Sequence, residues 1–141
     1  MMDPLIERVI PVLTKFTQSS AYDIDAILLV GSHARGKARP DSDIDLVIIS
    51  SQWTSLLSDR QWLQLFGKPL RIFKENYGLL TSLRVFYTDK EIEFGLTSPR
   101  WISFPLDPGT REVLEDGYRI LYEREGYLSS LQKALPSFPS T

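Results

Sequence analysis

Leu28-Leu29-Val30-Gly31-Ser32-His33-Ala34-Arg35-Gly36-Lys37-Ala38-Arg39-Pro40-Asp41-Ser42-Asp43-Ile44-Asp45-Leu46-Val47-Ile48-Ile49 is the stretch from which the fold is read. An apolar run ends in Gly31-Ser32, and ten residues later Asp43-Ile44-Asp45 opens a second one. Short apolar runs bounded by turn residues read as buried strands. Strands are expected over 25–30 and 44–49, joined by a glycine-bracketed turn carrying a short helix from Ser32. Alternate strand residues share a face, so the carboxylates of Asp43 and Asp45 emerge side by side. Two anions that close are costly without a cation. Mg2+ (or Mn2+), which prefers oxygen ligands and keeps waters for substrate phosphates, suits such a pair.

Asp45 is flanked by Ile44 and by Leu46-Val47-Ile48-Ile49, where a core strand would take another hydrophobe. An acid in that place needs a reason. Asp41 precedes the strand and reads as a turn or cap residue. Gly31 permits close backbone approach, Ser32 offers a hydroxyl, and the amides opening the next short helix can bind phosphate oxygens. A plain strand-to-helix turn capped by Ser32 would look the same locally. The joint occurrence with Asp43-x-Asp45 favours a phosphate cradle. Arg35, Lys37 and Arg39 cluster beside it, with Arg35 the best candidate to neutralise phosphate and a solvated face the simpler account of the other two. His33 is the sole histidine, so no two-histidine metal site exists, and it reads as a loop residue.

The bulk properties narrow the partners. With 141 residues, one domain over 1–135 and a frayed tail over 136–141 are expected. A net charge of -2 gives no electrostatic case for gripping a nucleic-acid backbone, so any nucleotide is a small molecule held at one site. The absence of cysteine excludes disulfides and thiolate metal sites. No apolar run approaches the ~18 residues that cross a bilayer, and no signal-peptide pattern opens the chain. A cytoplasmic protein with no membrane partner is expected.

Elsewhere, Leu5, Val9, Val12, Leu13 and Phe16 fall at helical spacing, with Asp3-Pro4 as the start and Pro11 implying a kink or late start. Residues 51–66 read as helical with a break near Ser58, where Ser58-x-x-Gln61 resembles a capping box. Strands are expected over 70–74, 79–87 and 91–96, the last two flanking a hairpin loop at Thr88-Asp89-Lys90. Asp107-Pro108-Gly109-Thr110 starts a helix ended by Gly117, followed by a strand over 118–122 and a helix over 127–135. Trp53, Trp62 and Phe66 read as core. Trp101 is open between core packing and an acceptor pocket.

Gly31-Ser32, the ten-residue gap and Asp43-x-Asp45 between apolar strands resemble the DNA polymerase β-like nucleotidyltransferase superfamily. The short chain is similar to its minimal nucleotidyltransferases and to the catalytic core of aminoglycoside and lincosamide nucleotidyltransferases. A looser similarity runs through Ile92-Glu93-Phe94-Gly95, Trp101, Asp107-Pro108-Gly109-Thr110 and Gly117 to Tyr122. The resemblance implies an α/β (α+β) fold, a mixed sheet of about five strands with helices mainly on one face. It implies metal-dependent transfer of a nucleoside monophosphate from a nucleoside triphosphate, ATP by expectation, to an acceptor hydroxyl, with release of pyrophosphate.

It also implies a third carboxylate on a strand beside Asp43-x-Asp45. Glu91 and Glu93 share a face. Glu93 is favoured because it lies between Ile92 and Phe94 and matches the family position, whereas Glu91 follows a turn and is accounted for by solvation. Many relatives carry the shorter Asp there. By resemblance, Asp43 and Asp45 bind both metals and Glu93 binds the one near the attacking hydroxyl, whose proton it accepts. Gly31, Ser32 and Arg35 hold the nucleotide's phosphates.

Antibiotic-modifying members add a helical domain that holds the acceptor. Here the acceptor, a small molecule or a protein, is expected in a shallow cleft, across a homodimer interface, or on a helical partner protein. The alternative is a catalytically weak nucleotide-binding or interaction module, such as the antitoxin-type partner of a helical toxin. The intact carboxylate set favours the enzyme.

Overall fold

The computed structural model describes residues 4–19, 21–39 and 41–138. Strands β1 (Ala26–Val30), β2 (Ile44–Ile49), β3 (Arg71–Tyr77), β4 (Leu80–Phe86), β5 (Glu91–Thr97) and β6 (Arg119–Glu123) form one sheet of order β3-β4-β5-β2-β1-β6. Among the described residues only the β2–β5 pair is parallel; the other ladders are antiparallel. Helices α1 (Pro4–Ser19), α2 (Gly31–Ala34), α3 (Trp53–Ser58), α4 (Pro108–Glu115) and α5 (Ser129–Ala134) complete the α+β architecture with two 3-10 segments, Gln61–Phe66 and Pro99–Ile102.

The six strands correspond to the six segments read as strands in the sequence, in a mixed sheet close to the expected size of about five. β3 is longer than its apolar residues suggested, because a tight turn at Gly78, with φ +65, carries the hairpin ladder out to Tyr77 opposite Leu80.

Period-two alternation sorts the strands onto two layers. Ile27, Leu29, Ile44, Leu46, Ile48, Leu83, Val85, Ile92 and Phe94 face the larger core, closed by Ile6, Val9, Leu13 and Phe16 of α1 with Leu56, Trp62 and Phe66. Phe16 stacks on Trp62 at 5.3 Å, and Trp62 meets Phe94 edge-on at 5.0 Å. On the opposite face Leu28, Val30, Val47 and Ile49 pack under Trp101, Leu114, Tyr118, Leu128 and Leu131. This second layer covers the β1–β2 side and leaves the charged face of β3, β4 and β5 open. The candidate site lies along that border.

Three local expectations change. α1 passes through Pro11 unbroken; Pro11 and Glu7, the residue whose carbonyl loses its partner, are both exposed, so water can take the bond. Asp3, expected as its cap, lies outside the described residues. Ser58 does not form a capping box: its hydroxyl donates to the Thr54 carbonyl at 3.1 Å, while the Gln61 amide donates to Asp59 Oδ1 at 3.3 Å. Part of the expected tail is anchored. The Phe138 amide donates to the Tyr118 carbonyl at 2.8 Å, and its ring lies where a side chain at Gly117 would project.

Candidate active site

Register brings the acids together. Asp45 pairs across β1 with Val30 and, on its other side, lies level with Glu93 of β5. Asp43 precedes β2 by one residue and shares the face of Asp45. The Asp45 carboxyl is pushed up to about 8, first by burial, then by hydrogen bonding with Asp43 and the charges of Asp43 and Glu93. A carboxylate in such company holds its proton more tightly unless a cation offsets the neighbouring charges.

Gly31 lets this happen. It sits at the end of β1 with φ +75, and a Cβ there would collide with Asp45 Oδ2. The short helix α2 starts at Gly31; Ser32 is half-buried in its first turn and Arg35 is exposed just beyond its end. Lys37 and Arg39 are exposed as well. The loop that follows is pinned at three points. Arg119 Nε donates to the Ala34 carbonyl at 2.9 Å, His33 Nε2 lies 3.3 Å from the Ser42 carbonyl oxygen, and the Arg39 amide donates to Ser42 Oγ at 2.8 Å. His33 is therefore buried and ties α2 to the approach to Asp43, rather than being an idle loop residue.

Glu91 and Glu93 are less different than their sequence context suggests, with side chains 28% and 23% exposed. Glu91 is not simply solvated. Burial raises its proton affinity, as does the charge of Asp43, with Arg84 opposing. The distinction between them is register: Glu93 faces Asp45, whereas Glu91 lies at the start of β5, opposite Phe86.

Arg84 is the residue that the sequence reading missed. It sits on β4 directly across from Glu93 and reaches three acids, Glu93 at 3.4 Å, Glu75 at 3.5 Å and Glu91 at 3.6 Å. A charge inside Leu83-Arg84-Val85 was the available signal, being as anomalous in a strand as Asp45. Glu93 is thus held by a guanidinium. Among the described residues no three His, Cys, Asp or Glu side chains are grouped so that they could hold a metal ion as they stand.

A pocket of about 400 Å3 opens from Asp45 and Glu93 toward α4, with Tyr77 and Trp101 in its walls. Its helix side is set by Asp107, whose carboxylate accepts from the Gly109 amide at 3.0 Å and so caps α4. Trp101 is buried against the second core and also borders the pocket.

The family model of the nucleotidyltransferase domain matches residues 12–100, more than half of the chain. The chain belongs to that family. No curated protein matches it. Among solved structures it is similar to an aminoglycoside 6-adenyltransferase from Bacillus subtilis, at 16% identity and a TM-score of 0.47 over 64% of this chain. The match spans 34% of the length of that protein. No described helix is long and apolar enough to cross a membrane.

Proposed function

We propose that this domain transfers a nucleoside monophosphate from a nucleoside triphosphate, ATP by preference, to an acceptor hydroxyl. The observation that carries the reading is the half-buried Asp45 carboxyl, level with Glu93 and raised in proton affinity by burial, by Asp43 and by Glu93. This set of hard oxygen donors, with Arg84 reaching Glu93 as the charge already beside it, fits Mg2+ or Mn2+. Asp43, Asp45 and Glu93 would hold the metal, which when bound polarises the α-phosphate and stabilises charge on the attacking and leaving oxygens.

The remaining work falls to the chain. Gly31 gives the phosphates close access to the backbone, Ser32 offers a hydroxyl, and Arg35 supplies positive charge. Glu93 accepts the proton of the acceptor hydroxyl as that oxygen bonds to the α-phosphorus. The bridging bond to the β-phosphate breaks, pyrophosphate leaves, and Glu93 returns its proton to water.

The test is transfer of α-labelled nucleotide by wild type and Asp45→Asn, screened over the four common triphosphates and including self-modification. Wild type is expected to label an acceptor with ATP, and Asp45→Asn to lose at least about a hundredfold. One observation favours the binding-module alternative: Glu93 is engaged by Arg84. Triphosphate binding without any transfer by wild type would select that alternative.

A further inference from the structure

β3 ends the sheet on one side, so one of its long edges has no neighbouring strand among the described residues. The hairpin closes on Tyr77 opposite Leu80 through a two-residue turn, a closure that leaves that pair hydrogen-bonded. Bonded and non-bonded pairs then alternate down an antiparallel ladder. Arg71, Phe73 and Glu75 therefore turn their backbone groups to β4, while Ile72, Lys74 and Asn76 turn theirs outward. An edge of this kind is a template for another strand.

The side chains decide which strand suits it. Arg71, Phe73, Glu75 and Tyr77 share the open face of the sheet, and the Phe73 and Tyr77 rings are exposed. Arg71 lies over the Phe73 and Phe86 rings at 5.2 and 5.3 Å, and no carboxylate pairs with it among the described residues. A second copy, related by a two-fold axis normal to the sheet, would lie antiparallel with the axis passing one residue. An axis at Lys74 or Glu75 sets like charges face to face, which is unfavourable. An axis at Ile72 leaves Arg71 and Glu75 without opposite charges. An axis at Phe73 sets ring against ring, Arg71 against the partner's Glu75, and the Lys74 stem against the partner's Ile72. Phe73 then forms a non-hydrogen-bonded pair, the kind in which side chains come closest. Glu75 meets Arg84 at 3.5 Å, and its carboxylate has lone pairs left for a second guanidinium.

We propose that β3 pairs antiparallel with β3 of a second copy of this chain, Phe73 on the axis and an Arg71–Glu75 pair on either side. The order cation, ring, anion is complementary to itself, which commits the edge to a second copy rather than to a foreign strand. Two six-stranded sheets become one, with both open acidic faces on the same side. None of this depends on nucleotidyl transfer.

The test is sedimentation equilibrium of the full chain and its variants. Wild type is expected to be dimeric at about 300 µM and to dissociate on dilution, because edge pairing buries little surface. Arg71→Glu and Glu75→Arg should each weaken the dimer at least about tenfold. An equimolar mixture of these two variants should recover it, as should the double variant, since both restore opposite charges across the axis. The register has its own readout, because the chain has no cysteine. Phe73→Cys should oxidise to a disulfide-linked dimer, its Cα atoms being about 4.5 Å apart across the axis, whereas Tyr77→Cys should not. A wild type that stays monomeric, no recovery in the mixture, or equal cross-linking at both cysteines would overturn the proposal.

Discussion

Gly31 and Asp45 occupy adjoining space so closely that a Cβ on the first would overlap Oδ2 of the second. The glycine also holds a φ of +75, which L side chains rarely adopt. Gly31→Ala therefore strains the backbone and displaces the carboxylate together. It should cost about 2–4 kcal/mol in urea unfolding and abolish Mn2+-induced broadening around residues 31–45. An alanine variant with wild-type stability and unchanged broadening would refute the close approach.

Asp45 makes the metal-free protein sensitive to alkali rather than acid. Its carboxyl is raised from the ordinary 3.8 to about 8 by burial, by Asp43 and by Glu93, the latter held in turn by Arg84. A raised carboxyl pKa favours the protonated folded state. Its contribution to stability is complete below the ordinary value and is lost as pH rises through the folded one. Without metal, the melting temperature should fall between about pH 5 and pH 8, and Asp45→Asn should flatten that slope. Mg2+ should stabilise wild type more at the higher pH, because the ligand must shed its proton. Equal slopes for wild type and Asp45→Asn, measured by scanning calorimetry, would contradict the assignment.

The parts of this architecture that depend on local pattern were readable in advance. β1, β2 and the facing of Asp43 and Asp45 follow from apolar runs and period-two geometry, and α4 follows from Asp107-Pro108. What depends on pairing between distant segments was not. Arg84 gains its meaning only when β4 lies against β5, and Phe138 only when the chain returns to Gly117. The choice between Glu91 and Glu93 had a local argument, depth in the run, but the firmer reason is the parallel register of β5 on β2.

Arg84 sets how available Glu93 is. With its three acids at 3.4–3.6 Å and a side chain 37% exposed, the network is loose and partly screened. Arg84→Gln should therefore change folding stability by no more than about 1 kcal/mol. Freed from the guanidinium, Glu93 should bind Mn2+ about threefold to tenfold more tightly in the nucleotide-free protein, read by electron paramagnetic resonance. That gain should vanish when Glu93→Gln is already present. If it persists in that background, Arg84 acts only through its overall charge and does not position Glu93.

Glu93 and Glu91 should separate cleanly when each is neutralised. Glu93 lies level with Asp45 and contributes to the rise in its proton affinity, while Glu91 stands at the strand end opposite Phe86. Glu93→Gln keeps the side-chain volume and removes one repelling charge. The metal-free protein should thus keep or slightly gain stability, and Asp45 should titrate closer to its ordinary value by carboxyl-detected NMR. Nucleotide transfer should fall at least about a hundredfold, because the proton acceptor and a metal ligand are lost together. Glu91→Gln relieves some repulsion with Asp43 but removes no group facing Asp45, so transfer should stay within about threefold of wild type. Loss of transfer in Glu91→Gln with activity retained in Glu93→Gln would move the third carboxylate to the strand end, beside Asp43. Equal loss in both would make the pair act as one unit through Arg84.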